Sequence, residues 1–438
     1  MFRINLGAMT NQSLADKNKS SYALSIGIIG GLFFIFGFVT WMNGTLIPFL
    51  KLACNLKTDV EAFLVTFAFY MAYFFLAIPS SAILKKTGMK NGMGWGLAIM
   101  AIGALIFIPA ANSKSFMLFL TGLFVQGMGL ALLQTASNPY ISIIGPIESA
   151  AQRISIMGIC NKVAGILSPI ILSAIVLKNA SALETQITTT TDPALKEVLL
   201  NELTGRIIYP YAMMAVILLL LAILVRKSPL PEIDAAKANA APAGDNLAAS
   251  KTSVLQFPHL LLGTLCIFVY VGVEVMAGDA IGTYGKSFGL PLDETKYFTS
   301  FTLGSMLLGY VIGIFTIPKY ISQEKALKIS AFTGILFTIA AFATKGYISV
   351  GFVAALGLAN ALMWPAIFPL AINRLGKFTE RGSALLIMGI AGGALLPLLF
   401  GYFKAHYNFQ LVFLMLMLPC YFYILFYAIR GYKAGLKS

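Results

Sequence analysis

Most of the chain alternates between long apolar runs and short polar interruptions. The runs fall at about 22–50, 61–84, 93–111, 116–144, 154–177, 207–225, 257–285, 297–318, 327–343, 347–372, 383–403 and 409–429. A helix needs about 20 apolar residues to cross the hydrocarbon core of a bilayer, and most of these runs have them. Only helices and closed barrels satisfy every backbone group inside lipid, and runs of this length predict helices. The predicted fold class is an all-α membrane protein with twelve transmembrane helices.

Two interruptions are longer than the rest. One, rich in Ala, Pro and charge and without an apolar period, predicts a linker between two six-helix halves. The predicted organisation is an arm at 1–20, a first half at 21–226, a linker at 227–256, a second half at 257–430 and a tail at 431–438. The other long interruption, 180–206, contains Pro-Ala-Leu-Lys-Glu-Val-Leu-Leu-Asn-Glu-Leu, which predicts a short surface helix. No cleavable leader is expected, because residues 1–20 are polar and the first apolar run is too long for one.

The halves carry traces of duplication. Ile156-Met157-Gly158-Ile159 in the fifth run recurs as Ile387-Met388-Gly389-Ile390 in the eleventh. Gly129-Leu130-Ala131 in the fourth recurs as Gly357-Leu358-Ala359 in the tenth. Such spacing predicts a parallel repeat about an axis along the membrane normal, making the halves pseudo-symmetric. The 231-residue offset pairs Asn43 with Glu274 and predicts that both face a central cavity.

Composition narrows the class. Of 438 residues, 58% are hydrophobic and 11% charged, too few charges to coat a water-soluble surface of that size. A soluble enzyme is excluded, as is a disordered chain. The net charge of +14 would suit a nucleic-acid partner, but its distribution argues otherwise. Of the 31 basic residues, twenty lie on the side of the termini and ten on the other, with Lys162 alone inside a span. An even number of spans places both termini together, and the positive-inside rule makes that side cytoplasmic. The charge therefore reflects orientation in the bilayer, expected to be a bacterial inner membrane, and no nucleic-acid partner is expected. Cys54, Cys160, Cys266 and Cys420 are scattered without metal spacing and read as small buried hydrophobes.

The polar residues at membrane depth are the candidate chemistry. Among the acids only Glu274 and Asp279 sit deep in a run. Intramembrane carboxylates cost a few kcal/mol and usually mark ion or proton handling, or a structural pairing, here with Lys162. Five residues of helix separate the two acids by about 500°, so they share a face only if Gly272, Gly278 or Gly282 breaks the helix. Two acids and one lysine leave one negative charge, which one Na⁺ or one H⁺ would balance. Gln134 and Asn138, four apart before Pro139, offer paired donors and acceptors of the kind that grip hydroxyls, and Pro139 predicts a kink. Asn161, Asn360 and Asn43 add amides, and Trp41 and Trp364 add rings whose faces stack on a pyranose. The remaining Phe and Tyr read as lipid-facing or core, and His259 as a surface residue near the mouth of the seventh span.

Several of these segments resemble a known family. Twelve spans in two halves resemble the major facilitator superfamily, and Ser81–Lys90 keeps Gly88 and the basic residues of its short signature but lacks the leading Gly and the Asp. Phe36-Gly-Phe-Val-Thr-Trp-Met-Asn-Gly-Thr-Leu-Ile-Pro-Phe49, Leu133-Gln-Thr-Ala-Ser-Asn-Pro-Tyr140, Ile144-Gly-Pro-Ile-Glu-Ser-Ala-Ala151, Arg153-Ile-Ser-Ile-Met-Gly158, Asn161-Lys162 and Gly272-Val273-Glu274-Val275 are similar to the fucose–galactose–glucose:proton symporter family, its glucose/galactose branch most closely. The resemblance implies a major facilitator fold and sugar symport. Fucose-carrying members have an Asp after the first-span Asn and a Glu in the fourth span, both implicated in proton coupling. Gly44 and Gln134 stand at those places here, and neither takes up a proton.

The expectation is a functional monomer that imports a hexose, glucose or galactose, with a coupling cation, Na⁺ favoured over H⁺, and no other cofactor. Asn43, Gln134, Asn138, Asn161, Asn360, Trp364 and Trp41 would bind sugar. Glu274 and Asp279 would hold the cation, as Na⁺ ligands or proton carriers, with Lys162 tuning their charge. The alternatives are a proton-coupled permease for N-acetylglucosamine or another sugar, and a non-transporting sugar sensor, which would more often carry a signalling tail longer than the eight residues after Arg430. A membrane enzyme is not expected, since His259 and His406 are far apart and no cluster of catalytic side chains is visible.

Overall fold

The computed structural model describes residues 6–143, 150–230, 251–317 and 319–436. Most of the linker and of the segment Ile144–Ala151 lies outside them. Among the described residues there is no strand, and twelve helices are long and apolar enough to span a membrane. They include the first (Leu24–Ala53), second (Asp59–Thr87), fourth (Phe116–Asn138), fifth (Arg153–Val176), seventh (Pro258–Gly278), eighth (Leu292–Thr316), tenth (Gly346–Ile372), eleventh (Arg381–Phe403) and twelfth (Phe409–Ile429).

The helix of the first span continues back to Leu6, through the polar arm, where no proline interrupts it. Thr58 starts the second span with a capping box: its hydroxyl accepts from the Glu61 amide, and the Glu61 carboxylate accepts from the Thr58 amide. Gly88, at φ +79°, makes the tight passage from the second span to the third. The predicted surface helix is Pro193–Gly205, capped by Asp192, and a second one, Ala180–Thr189, precedes it.

The repeat is visible in the packing. A Cβ at Gly37 in the first span would lie 1.9 Å from the Asn161 carbonyl oxygen in the fifth, and one at Gly392 in the eleventh would lie 1.8 Å from the Phe268 carbonyl oxygen in the seventh. Positions 37 and 268 are 231 residues apart, as are 161 and 392. Each half keeps the same backbone contact, with its glycine on the opposite helix.

Among the described residues several spans are interrupted, and three of the interruptions bear on the site. The first turns at Met42, between the helices Leu6–Trp41 and Asn43–Ala53. The seventh ends at Gly278 and resumes as Ile281–Lys286 after Asp279 and Ala280. The tenth divides into Gly346–Asn360 and Met363–Ile372. Pro365 explains the tenth, since it has no N–H for the Ala361 carbonyl four residues earlier. Polar groups on the eighth span cap the end of the seventh: Thr299 Oγ1 donates to the Gly278 carbonyl at 2.8 Å and Thr302 Oγ1 to that of Ala277 at 2.7 Å. The fourth span, by contrast, runs as continuous helix through Pro139 to Ile143.

On the face opposite the termini the halves are tied by ions and hydrogen bonds. Asp59 pairs with Lys51 of its own half and Lys404 of the other. Glu184 pairs with Lys286, Ser181 with Asp293, and Lys296 Nζ donates to the Leu177 carbonyl at 3.0 Å.

Candidate functional site

A cavity lies between the halves, lined from the first, second, fourth, fifth, seventh, eighth, tenth and eleventh spans. Lys162 of the fifth span meets Glu274 of the seventh there, Nζ to Oε1 2.9 Å, with side chains 7% and 11% exposed. The pairing offsets the cost of holding either charge at this depth. The ammonium also stands 4.4 Å from the centre of the Trp41 ring, a cation–π contact. Trp41 is wedged between two glycines: a Cβ at Gly165 or at Gly278 would lie 2.5 or 2.4 Å from its ring. Its Nε1 points at Asn161 Oδ1 at 3.4 Å, and Asn161 Nδ2 points at the Phe33 carbonyl at the same distance.

The fourth span supplies amides. Gln134 Nε2 donates to Tyr73 Oη at 3.0 Å, and Asn138 Nδ2 to the Gln134 carbonyl at 3.0 Å. Gln134 spends one amide donor on this contact, and its side chain still offers both donor and acceptor groups to a ligand. Across from them Trp364 stacks on Phe368 at 5.7 Å between centroids and leans on Tyr270. The cavity thus has aromatic walls, amide groups on one side and a buried ion pair, the lining expected where a small polar molecule is held by few directed contacts.

Sequence reasoning brings Trp41, Gln134, Asn138, Asn161, Lys162, Glu274 and Trp364 to this one cavity. Three others lie elsewhere. Asn360 faces the twelfth span, its Oδ1 accepting from Tyr421 Oη at 2.9 Å, because the break after it separates it from the face of Trp364. Asn43 and Asp279 are 0% and 1% exposed and do not line the cavity. The break in the seventh span therefore does not bring the two acids together: Glu274 stays in the cavity and Asp279 turns toward the Asn43-Gly44 peptide. Asn43 and Glu274, paired by the repeat, do not share the cavity either.

Tyr70, Tyr73, Tyr270 and Tyr310 are buried in the core, as expected, and also line the cavity, which was not expected. Tyr270 stands one helical turn before Glu274, a spacing that marks it from sequence. His259 is buried, its Nε2 2.9 Å from the Asn373 carbonyl, and is not the surface residue expected.

Twelve helices in two related halves around a central cavity define the class of a membrane transporter. The chain belongs to the Major Facilitator Superfamily, whose family model matches residues 29–390. A glucose/galactose transporter of Brucella abortus biovar 1 (strain 9-941) is 33% identical over 433 residues, covering 97% of this chain and 98% of that one. The L-fucose-proton symporter of Escherichia coli (strain K12) is 29% identical over 389 residues, 87% of each chain. The crystal structure of FucP, a transporter of this superfamily, in the outward conformation superposes with a TM-score of 0.75 at 25% identity, covering 93% of this chain and 98% of that one.

Proposed function

We propose that the protein is a monomeric hexose symporter that imports glucose or galactose by alternating access, coupled to a monovalent cation with Na⁺ favoured. The observation that carries this reading is the convergence of Trp41, Trp364, Gln134, Asn138, Asn161 and the Lys162–Glu274 pair on one cavity between the halves. Indole faces stack on the apolar face of a pyranose, amide oxygens accept from its hydroxyls, and the ion pair bonds the rest. Both halves contribute, so sugar at this site favours their closing around it. The names of the relatives support sugar as the substrate.

Asp279 carries the charge left over once Glu274 is paired with Lys162, and the cation neutralises it. The basic residues favour cytoplasmic termini in an inner membrane, with 227–256 linking the halves. A proton in place of Na⁺ is the second reading, favoured by the relatives named as proton symporters.

Counterflow tests the substrate. Vesicles loaded with unlabelled sugar should accumulate labelled glucose and galactose, with fucose and N-acetylglucosamine as competitors. Exchange of none of these sugars would contradict the reading.

A further inference from the structure

We propose that the facing breaks of the first and seventh spans form a Na⁺ site separate from the sugar cavity, with Asp279, Asn43 and Thr299 as its side-chain ligands. This rests on the symport reading for its role in transport, but not for the binding itself. Asp279 is 1% exposed, and among the described residues neither carboxylate oxygen completes a hydrogen bond. Asn43, 0% exposed, likewise leaves both Oδ1 and Nδ2 unpaired. Two buried polar side chains with so few partners are costly unless a ligand satisfies them.

The elements meet closely here. The Gly44 amide, at the start of the helix Asn43–Ala53, faces the Asp279 carboxylate. A Cβ at Gly44 would lie 2.3 Å from Thr299 Oγ1, so the hydroxyl rests on that glycine. Thr299 has committed its proton to the Gly278 carbonyl, which leaves its lone pairs free. The seventh-span helix ends at Gly278, so its partial negative charge adds to that of Asp279. Carboxylate, amide, hydroxyl and end-of-helix carbonyl oxygens are hard ligands suited to Na⁺, and broken membrane helices hold coupling ions in this way.

Thr299 also explains Gly44: a larger residue there would strike the hydroxyl, and the carboxylate comes instead from the opposite half. Because its ligands come from both halves, an ion here resists their separation. Trp41 lies between the two sites, its ring against Gly278 on one side and under Lys162 on the other.

The test is Na⁺ titration of the purified full chain without sugar, read by calorimetry and by indole fluorescence at constant ionic strength. Saturable Na⁺ binding is expected, with K⁺ a poor substitute. Asp279→Asn should abolish it, and Thr299→Val should weaken it about tenfold. Thermal melts show whether each variant is folded, and Thr299→Val, nearly isosteric, decides the matter if Asp279→Asn is not. Absence of Na⁺ binding at any pH, or its full retention in folded Asp279→Asn, overturns the proposal. Na⁺ binding without counterflow of any sugar would sink the symport reading and leave the site standing. Counterflow without Na⁺ binding would do the reverse.

Discussion

Lys162 and Glu274 face each other across the two halves, 2.9 Å apart and almost out of water. Removing one charge leaves the other buried alone, at a cost of about 3–5 kcal/mol, whereas removing both is close to neutral. Glu274→Gln should therefore lower the melting temperature sharply, and Lys162→Met added to it should restore most of the loss without restoring sugar counterflow. A single variant that melts like the parent would show that the pair is not the buried element described. Trp364→Leu removes one stacking face, worth about 0.5–1.5 kcal/mol, so the sugar Kd should rise up to roughly tenfold. Trp95, outside the cavity beneath Arg226, is the matched control, and calorimetry reads both. The acids were legible because carboxylates are so scarce at membrane depth. The separation of Asp279 from Glu274 was not, because it depends on a break held by Thr299 and Thr302 from another span.

The spans were legible as elements because an apolar run of this length has few alternatives in lipid. Their breaks were less so. Pro365 marks the break of the tenth span only when its effect is placed four residues upstream, whereas Pro139 sits in unbroken helix. The repeat was legible from short matches, and its packing consequence is specific. Gly37→Ala and Gly392→Ala each drive a methyl into a backbone oxygen and should reduce the yield of folded protein. Gly351→Ala, with nothing within 4 Å, should leave the yield unchanged or raise it slightly. Equal yields from all three would remove the close contact from the description, with yield measured by fluorescence-detected gel filtration.

At the scale of the molecule, the ties opposite the termini hold that face shut. Asp59 bridges Lys51 and Lys404, and Glu184 and Asp293 add ties from Lys286 and Ser181. Burial holds the Lys404 ammonium below its ordinary pKa, and the Asp59 carboxylate offsets only part of that shift. Asp59→Asn leaves two ammonium groups without their shared carboxylate and should shift the protein toward opening on this face. Spin labels at Lys57 and Tyr407 should then give a longer, broader distance distribution than in the parent, and an unchanged distribution would contradict the latch. In sequence these charges spoke only to orientation, because their pairing depends on how the halves meet.

Coupling between sugar and cation joins the cavity, the breaks and the halves into one mechanism, and uptake measures it directly. Labelled glucose or galactose should accumulate in vesicles when an inward Na⁺ gradient is imposed at equal pH, and accumulation should be lost in Asp279→Asn. A pH gradient without Na⁺ should not drive it. Accumulation that ignores the Na⁺ gradient, or that persists unchanged in Asp279→Asn, would contradict the account.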